Sequence, residues 1–117
     1  MTFLLVFLFA FSVSANDSKS RLTDGADLLT FEERNRIAKM LDDVSFEYEY
    51  DVVIRTVETI GDYQSEAAFA QDAFRNGGYG LGEKRSGVIL VIFESERRAY
   101  IEFFGEKRLP EGTALLE

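Results

Sequence analysis

The sequence reads Asn76-Gly-Gly-Tyr-Gly-Leu-Gly-Glu-Lys-Arg-Ser86, then Gly87-Val-Ile-Leu-Val-Ile-Phe93, and after the charged turn Glu94-Ser-Glu-Arg-Arg98 it continues as Ala99-Tyr-Ile-Glu-Phe-Phe104. The first stretch is too rich in glycine to hold regular structure. The second is apolar at every position, so it predicts a central strand of a sheet that is covered on both faces. Because the turn is short, the last stretch predicts a strand antiparallel to the central one.

The segments before this stretch predict two helices and one more strand. Thr30-Phe-Glu-Glu33 has the form of a capping box and opens a helix that runs to about Val44. Tyr48–Glu58 is rich in β-branched and aromatic residues, as strands are. Glu66–Arg75 has the apolar stripe of a second helix. The order α-β-α-β-β predicts an α/β fold, a three-layer α/β/α sandwich around a small mixed sheet whose first two strands are parallel.

The composition excludes several classes of function. The 117 residues carry a formal net charge of −8 and include neither cysteine nor histidine. Thiol nucleophiles, disulfides, Ser-His and Cys-His dyads and the usual zinc ligand sets are therefore excluded. The negative charge disfavours nucleic acid as a partner. Any catalysis must use carboxylates, Arg, Lys, Tyr, Ser or a hard cation held by oxygen ligands.

The N-terminal segment of the sequence predicts a targeting signal, and the C-terminal segment predicts an incomplete domain. Phe3–Phe11 is apolar but shorter than the roughly 20 residues of a membrane-spanning helix, and small residues precede Asn16. Residues 1–15 therefore predict a cleaved signal peptide, which leaves residues 16–117 as one secreted, extracytoplasmic domain. A buried strand and an uncleaved membrane tether are the alternatives for this segment. Thr113–Glu117 reads as the start of a helix, so we expect the domain to be truncated at its C-terminus.

Six landmarks along the chain, in order, resemble those of the TPM domain family. They are Asp24 ahead of Leu28-Leu29-Thr30, Val52–Val57 with Ile60-Gly61, Glu66–Ala70, Gly78–Gly82, Gly87–Leu90, and Glu96-Arg97 with Gly105. The resemblance covers about Leu22–Gly112. It implies an α/β/α sandwich outside the cytoplasm, in bacterial secreted or membrane-tethered proteins and in the plastid lumen.

The resemblance also implies candidate activities, and two positions depart from it. Family members are linked to calcium binding, to acid phosphatase activity, and to accessory roles such as photosystem repair or receptor modulation. Arg75 and Ser86 stand where many bacterial members have acidic residues. Losing two carboxylates near one loop weakens the case for calcium, which takes six to eight oxygen ligands. It weakens a metal-assisted phosphatase for the same reason.

The glycine loop and the hairpin turn hold the candidate ligand-binding residues, Gly80, Gly82 and Arg97. Backbone N–H groups of the loop could cradle an anion, helped by Lys84 and Arg85. The loop runs from a helix into a strand, however, the reverse of the order in phosphate loops, so a plain connection with unusual dihedral angles is the alternative. Arg97 matches an arginine of the family and could bind an anion or pair with a glutamate across the turn.

We expect an acidic cleft beside the glycine loop, because the chain returns to that edge after the last strand. Glu83, Glu106 and Glu111 would converge there with Asp24. Asp24, Glu83 and Glu111 are the candidate ligands of a Ca²⁺ ion, and Asp24 is the candidate catalytic residue if the protein is an enzyme. A solvated charged rim is the structural alternative, and for Asp24 so is capping or bracing a loop.

The sequence contains no recognisable pair of nucleophile and base. It therefore favours a non-catalytic accessory or interaction module at the cell envelope, with an unidentified protein partner and a membrane tether supplied by sequence beyond Glu117. A divalent-cation-dependent acid phosphatase of low specificity and a calcium-binding structural domain are the alternatives.

Overall fold

The computed structural model describes residues 20–106. The predicted signal peptide, the predicted C-terminal helix and Glu111 lie outside the described residues. The described elements are β1 Leu22–Asp24, α1 Phe31–Tyr48, β2 Asp51–Val57, α2 Glu66–Asn76, β3 Gly87–Phe93 and β4 Arg98–Phe104. The predicted α/β class and the order α-β-α-β-β are confirmed, with β1 added in front. A strand of three residues is too short to show periodicity, which is why the sequence did not reveal it.

The four strands form one mixed sheet in the order β1-β2-β3-β4. β1, β2 and β3 are parallel, and β4 returns antiparallel to β3. The predicted parallel pair is thus β2 with β3, and the predicted hairpin is β3 with β4. Within residues 20–106, no helix is long and apolar enough to cross a membrane.

α2 covers the face of the sheet that carries the main core. Alternate residues of β3 are buried, and the side chains of Ile89, Val91 and Phe93 are fully inaccessible. They pack in one cluster with Ala70 and Phe74 of α2. The small alanine lets the helix lie close to the strands, and the burial of these apolar side chains supplies much of the folding free energy.

α1 packs against β1 and β2 on the other face. It begins at the predicted capping box, in which the Thr30 hydroxyl accepts the Glu33 N–H and the Glu33 carboxylate accepts the Thr30 N–H. The helix runs one turn beyond the predicted end and stops at Glu49, whose φ of 50° is left-handed. The strand predicted from Tyr48 accordingly begins only at Asp51.

The part of this second face that belongs to β3 and β4 is more open within residues 20–106. Ile101 and Phe103 of β4 are 53% and 42% exposed. They lie beside Leu90 and Val88, which are half-buried. α1 therefore leaves an apolar strip of the described sheet partly exposed to solvent.

Candidate functional site

The strand register separates the predicted site residues into two groups. Asp24 pairs with Thr56 near the carboxyl end of β2, whereas Asp51 at its amino end pairs with Gly87 after the glycine loop. The two positions on β2 are five residue steps apart, which corresponds to about 16 Å. The predicted convergence of Asp24 with Glu83 and Glu106 is therefore wrong. Because β1 and β3 both run parallel to β2, the carboxyl end of β1 lies at the opposite end of the strands from the amino end of β3.

Asp24 holds together the segment between β1 and α1. Its side chain is 1% exposed. Its Oδ1 accepts the Thr56 hydroxyl at 2.6 Å and the Leu28 N–H at 3.0 Å. Its Oδ2 accepts the Leu29 N–H at 3.0 Å and an Arg34 N–H at 3.2 Å. This is the loop-bracing role that the sequence offered as the alternative to a ligand site.

These hydrogen bonds fix the ionised form of Asp24. Burial would raise the pKa of the carboxyl group, but the donors from Thr56, the two backbone N–H groups and Arg34 outweigh it. They lower the pKa from its ordinary value of 3.8 to about 2. Because both oxygens already accept hydrogen bonds, a metal ion or substrate would have to displace donors of the protein itself.

The glycine loop uses its own backbone donors. The N–H groups of residues 77 to 81 donate, in order, to Ala73 O, Arg75 O, Phe74 O, the Asp51 carboxylate and Ser86 O. Gly80, with a φ of 111°, therefore directs its N–H at a buried side chain of the sheet. The loop behaves over this range as a connection with unusual dihedral angles, and these five N–H groups are not directed at a bound anion.

Asp51 is the central residue at this end of the sheet, and no sequence motif predicts its role. Its side chain is 2% exposed and lies between a cation and the loop. The Arg21 Nε donates to Oδ1 at 2.5 Å, and the Gly80 N–H donates to Oδ2 at 2.7 Å. Arg21 also donates to Asp42 of α1 at 2.8 Å. The only signal in the sequence is an aspartate at the start of an otherwise apolar strand.

Two neighbouring cavities open beside the glycine loop. The basic cavity, of about 360 Å³, is lined by Arg75, Lys84 and Arg85 and by the rings of Phe74, Tyr79 and Phe104. The acidic cavity, of about 340 Å³, is lined by Glu49, Glu83 and Glu106 together with Gly82, Lys84 and Ser86. Lys84 borders both. The loop end of the sheet thus presents two pockets of opposite charge.

The acidic cavity contains part of the predicted cleft. Glu83 and Glu106 line it together, as expected, and Glu49 joins them from the end of α1. Among residues 20–106, however, no group of three or more acidic side chains is arranged to hold a metal ion. Metal binding by Asp24, Glu83 and Glu111 stays a prediction, with Asp24 at the other end of the sheet.

Ser86 and Arg75 both contribute to the structure of the loop end. Ser86 is buried, and its Oγ accepts the Glu106 N–H at 2.8 Å, which fixes the chain where it leaves β4. The guanidinium of Arg75 lies 5.7 Å from the centre of the Phe104 ring. Ser86 thus anchors the chain after β4 with its hydroxyl, and Arg75 places its positive charge near an aromatic ring.

Arg97 lies at the Asp24 end of the sheet, far from Gly80 and Gly82. It is exposed in the β3–β4 turn with a φ of 56°, and its N–H donates to Glu94 O at 3.2 Å. Glu96 accepts instead from the Thr59 hydroxyl at 2.8 Å. The three predicted ligand-binding residues therefore do not form one site, and a ligand at any of them stays a prediction.

Comparisons with known proteins agree with this architecture. The family model of the TPM domain matches residues 22–114. The solution structure of the N-terminal domain of a P. gingivalis protein is 28% identical, with a TM-score of 0.64 over 80% of this chain and 59% of that one. The N-terminal domain of a Corynebacterium glutamicum protein shows the same fold at 17% identity, with a TM-score of 0.59 over 81% of this chain and 59% of that one.

This chain thus spans about three fifths of the length of each of these two domains. No curated protein matches it.

Proposed function

Because the chain belongs to the TPM domain family, we propose that it is an extracytoplasmic accessory or interaction domain with no catalytic activity of its own. The observation that carries this proposal is the state of the two buried carboxylates. Asp24 and Asp51 both have their oxygens occupied by donors of the protein. A general acid or base needs a pKa near the working pH and a free path to substrate. Asp24, with a pKa of about 2, has neither.

The extracytoplasmic location rests on the sequence of residues 1–15, which has the apolar core and small-residue cleavage site of a signal peptide. Proteins of the family are often extracytoplasmic, which supports the same location. In this compartment the domain would act on a protein partner of the cell envelope. A membrane tether would keep it near that partner.

A cation-binding function is the second candidate, and the acidic cavity is the observation that favours it. Glu49, Glu83 and Glu106 bring three carboxylates to one opening, and Ca²⁺ prefers oxygen ligands. A divalent cation there would support a structural role or the hydrolysis of phosphate esters. Two observations stand against it. The Ser86 hydroxyl accepts the Glu106 N–H and supplies no carboxylate, and no three acidic side chains among residues 20–106 are arranged to hold a metal ion.

Two measurements separate the candidates. We expect no hydrolysis of p-nitrophenyl phosphate above background, with or without Ca²⁺ or Mg²⁺. Turnover that is abolished by Asp24→Asn in a variant that remains folded would overturn the proposal. We also expect the same melting temperature in EDTA and in millimolar Ca²⁺. A bound cation at about 100 times its Kd would add roughly 2.7 kcal/mol and shift the melt by several degrees.

The control for the melt is a matched pair of charge changes. Glu83→Gln removes a carboxylate of the acidic cavity, and Glu47→Gln removes an exposed one from α1. A calcium-dependent shift that disappears only in Glu83→Gln would establish the second candidate instead.

A further inference from the structure

The basic cavity is unusual for a chain with a net charge of −8. Its lining includes three cationic side chains, Arg75, Lys84 and Arg85, and no carboxylate. At physiological salt, screening limits the range over which exposed charges interact to about 8 Å. The electrostatic potential in the cavity therefore depends mainly on the nearest charged groups. The charged groups that line the cavity are positive, whereas Glu83 and Glu106, which adjoin Lys84 and Gly105 in the chain, line the neighbouring acidic cavity.

The three cations are not used in ion pairs of the described chain. The ion pairs formed within residues 20–106 use Arg21, Arg34, Lys39 and Arg98 as their cations. A cation near the end of α2 would be favoured by the helix dipole, which accounts for Arg75 alone. Lys84 and Arg85 belong to the loop, where that explanation does not apply.

The backbone holds these side chains around the opening. Leu81 and Ser86 form an antiparallel bridge that folds the loop back on itself. Arg85 has a left-handed φ of 52°, and its Nη2 donates to the carbonyl oxygens of Gly78 and Tyr79, both at 3.2 Å. The guanidinium is therefore fixed in place by the loop. A charged group that is already positioned loses less entropy when it binds a ligand.

The cavity also has an apolar, aromatic wall. The Phe74 and Phe104 rings are stacked, with centroids 4.0 Å apart and planes 5° apart. Gly105 follows with a φ of 68°, and a Cβ there would lie 2.6 Å from Lys84 O. The absence of that atom lets the end of β4 lie directly against the loop. The Phe74 and Phe104 rings belong to the core and are 2% and 8% exposed, so Tyr79, which is half-buried, is the most accessible ring of this wall. The cationic rim suits an anion.

We propose that this cavity binds a small organic anion that bears a carboxylate or phosphate group on a flat apolar body. Arg85, which the loop holds in place, contacts the anionic group together with Lys84 and Arg75, and the half-buried Tyr79 ring contacts the body. This inference goes beyond the proposed function, because binding here requires no turnover.

The test uses phenylphosphonate, which cannot be hydrolysed as a phosphate ester, and benzoate, with inorganic phosphate and benzyl alcohol as the separate halves of the ligand. Backbone amide NMR shifts of the purified protein report the site. We expect saturable shifts at Tyr79, Lys84 and Gly105 for both aromatic anions at millimolar concentration, and weaker binding as salt is raised. The stronger of the two anions identifies the head group as phosphate or carboxylate.

The variants Arg75→Gln and Lys84→Gln should each weaken binding about tenfold or more, as loss of a charge-assisted hydrogen bond does. Arg36→Gln, an exposed arginine of α1, is the matched control and should leave the Kd unchanged. Equal binding of benzyl alcohol, shifts outside the cavity, or a Kd that Arg36→Gln alters as much as Lys84→Gln would overturn the proposal. Hydrolysis of a phosphate ester would contradict the proposed function but leave this site intact.

Discussion

Asp24 and Asp51 lie at opposite ends of one sheet, and both carboxylates are almost fully buried. Asp24 is surrounded chiefly by neutral donors, a hydroxyl and two N–H groups, with an Arg34 that is 37% exposed. Asp51 is paired with Arg21, whose side chain is only 8% exposed. At one end, then, local dipoles stabilise the charge, and at the other a buried countercharge does. The difference predicts unequal costs when each carboxylate is removed.

The largest effect should come from breaking the pair at the loop end. Asp51→Ala leaves the buried Arg21 guanidinium with Asp42 as its remaining described ion-pair partner, and it leaves the Gly80 N–H without its acceptor. Removing one partner of a buried pair costs about 3–5 kcal/mol. The free energy of unfolding from urea titration measures it.

Asp43→Asn is the control for this prediction. It removes an exposed carboxylate that pairs with Lys39 four residues earlier in α1, and such pairs contribute about 0.3–0.5 kcal/mol. Asp51→Asn, which keeps the shape of the side chain, should fall between the two. A loss for Asp51→Ala as small as that for Asp43→Asn would show that the buried pair contributes little.

Asp24 should show its contribution through pH. Its pKa is about 2 in the folded protein and has an ordinary value of 3.8. A depressed pKa adds stability that is complete above the unfolded value and is lost as pH falls through the folded value. The contribution, about 2 kcal/mol at most, should therefore disappear between about pH 5 and pH 1. Urea titrations along that range measure it.

The matched variants for this prediction are Asp24→Asn and Asp27→Asn, since Arg34 contacts both carboxylates. Asp24→Asn should lower stability at neutral pH and flatten its acid dependence. Asp27, with a side chain 86% exposed, should change neither by more than a few tenths of a kcal/mol. Equal effects of the two would mean that the contact with Arg34, not the loop donors, stabilises Asp24.

Two glycines with nearly the same φ angle test how tightly the two ends of the sheet are packed. Gly105 follows β4 at the glycine-loop end, and Gly61 lies after β2 at the Asp24 end; their φ values are 68° and 69°. A Cβ at Gly105 would lie 2.5 Å from the Ser86 Oγ, whereas a Cβ at Gly61 would meet nothing within 4 Å. Both alanine variants lose about 1 kcal/mol to the left-handed backbone. Gly105→Ala should lose about 1–2 kcal/mol more through the clash.

Thermal or urea unfolding of the two variants gives that difference directly. Equal stabilities would show that the loop and the end of β4 can move apart without cost, so that Gly105 is not needed to shape the basic cavity.

The secondary-structure elements could be predicted from the sequence more completely than the tertiary contacts of individual residues. The capping box at Thr30 and the apolar run at Gly87–Phe93 are local patterns, and both were confirmed. The predicted position of Asp24 was wrong because it depends on how β1 pairs with β2. β1 has only three residues, and no local sequence pattern predicts its pairing. Asp51 was missed because the sequence around an aspartate at the start of a strand is the same whether its partner is water or a buried arginine 30 residues away.

The smallest effects should come from two arginines that share a backbone conformation at the two ends. Arg85 and Arg97 have φ values of 52° and 56°. Arg85 donates through Nη2 to two carbonyl oxygens of the glycine loop, so Arg85→Ala should cost about 1 kcal/mol through lost hydrogen bonds. Arg97 makes its described turn contact through the backbone N–H, which Arg97→Ala keeps, so its stability should stay within about 0.5 kcal/mol. A larger loss for Arg97→Ala would show that its side chain has a structural role in the turn, and the comparison between the two ends would then need revision.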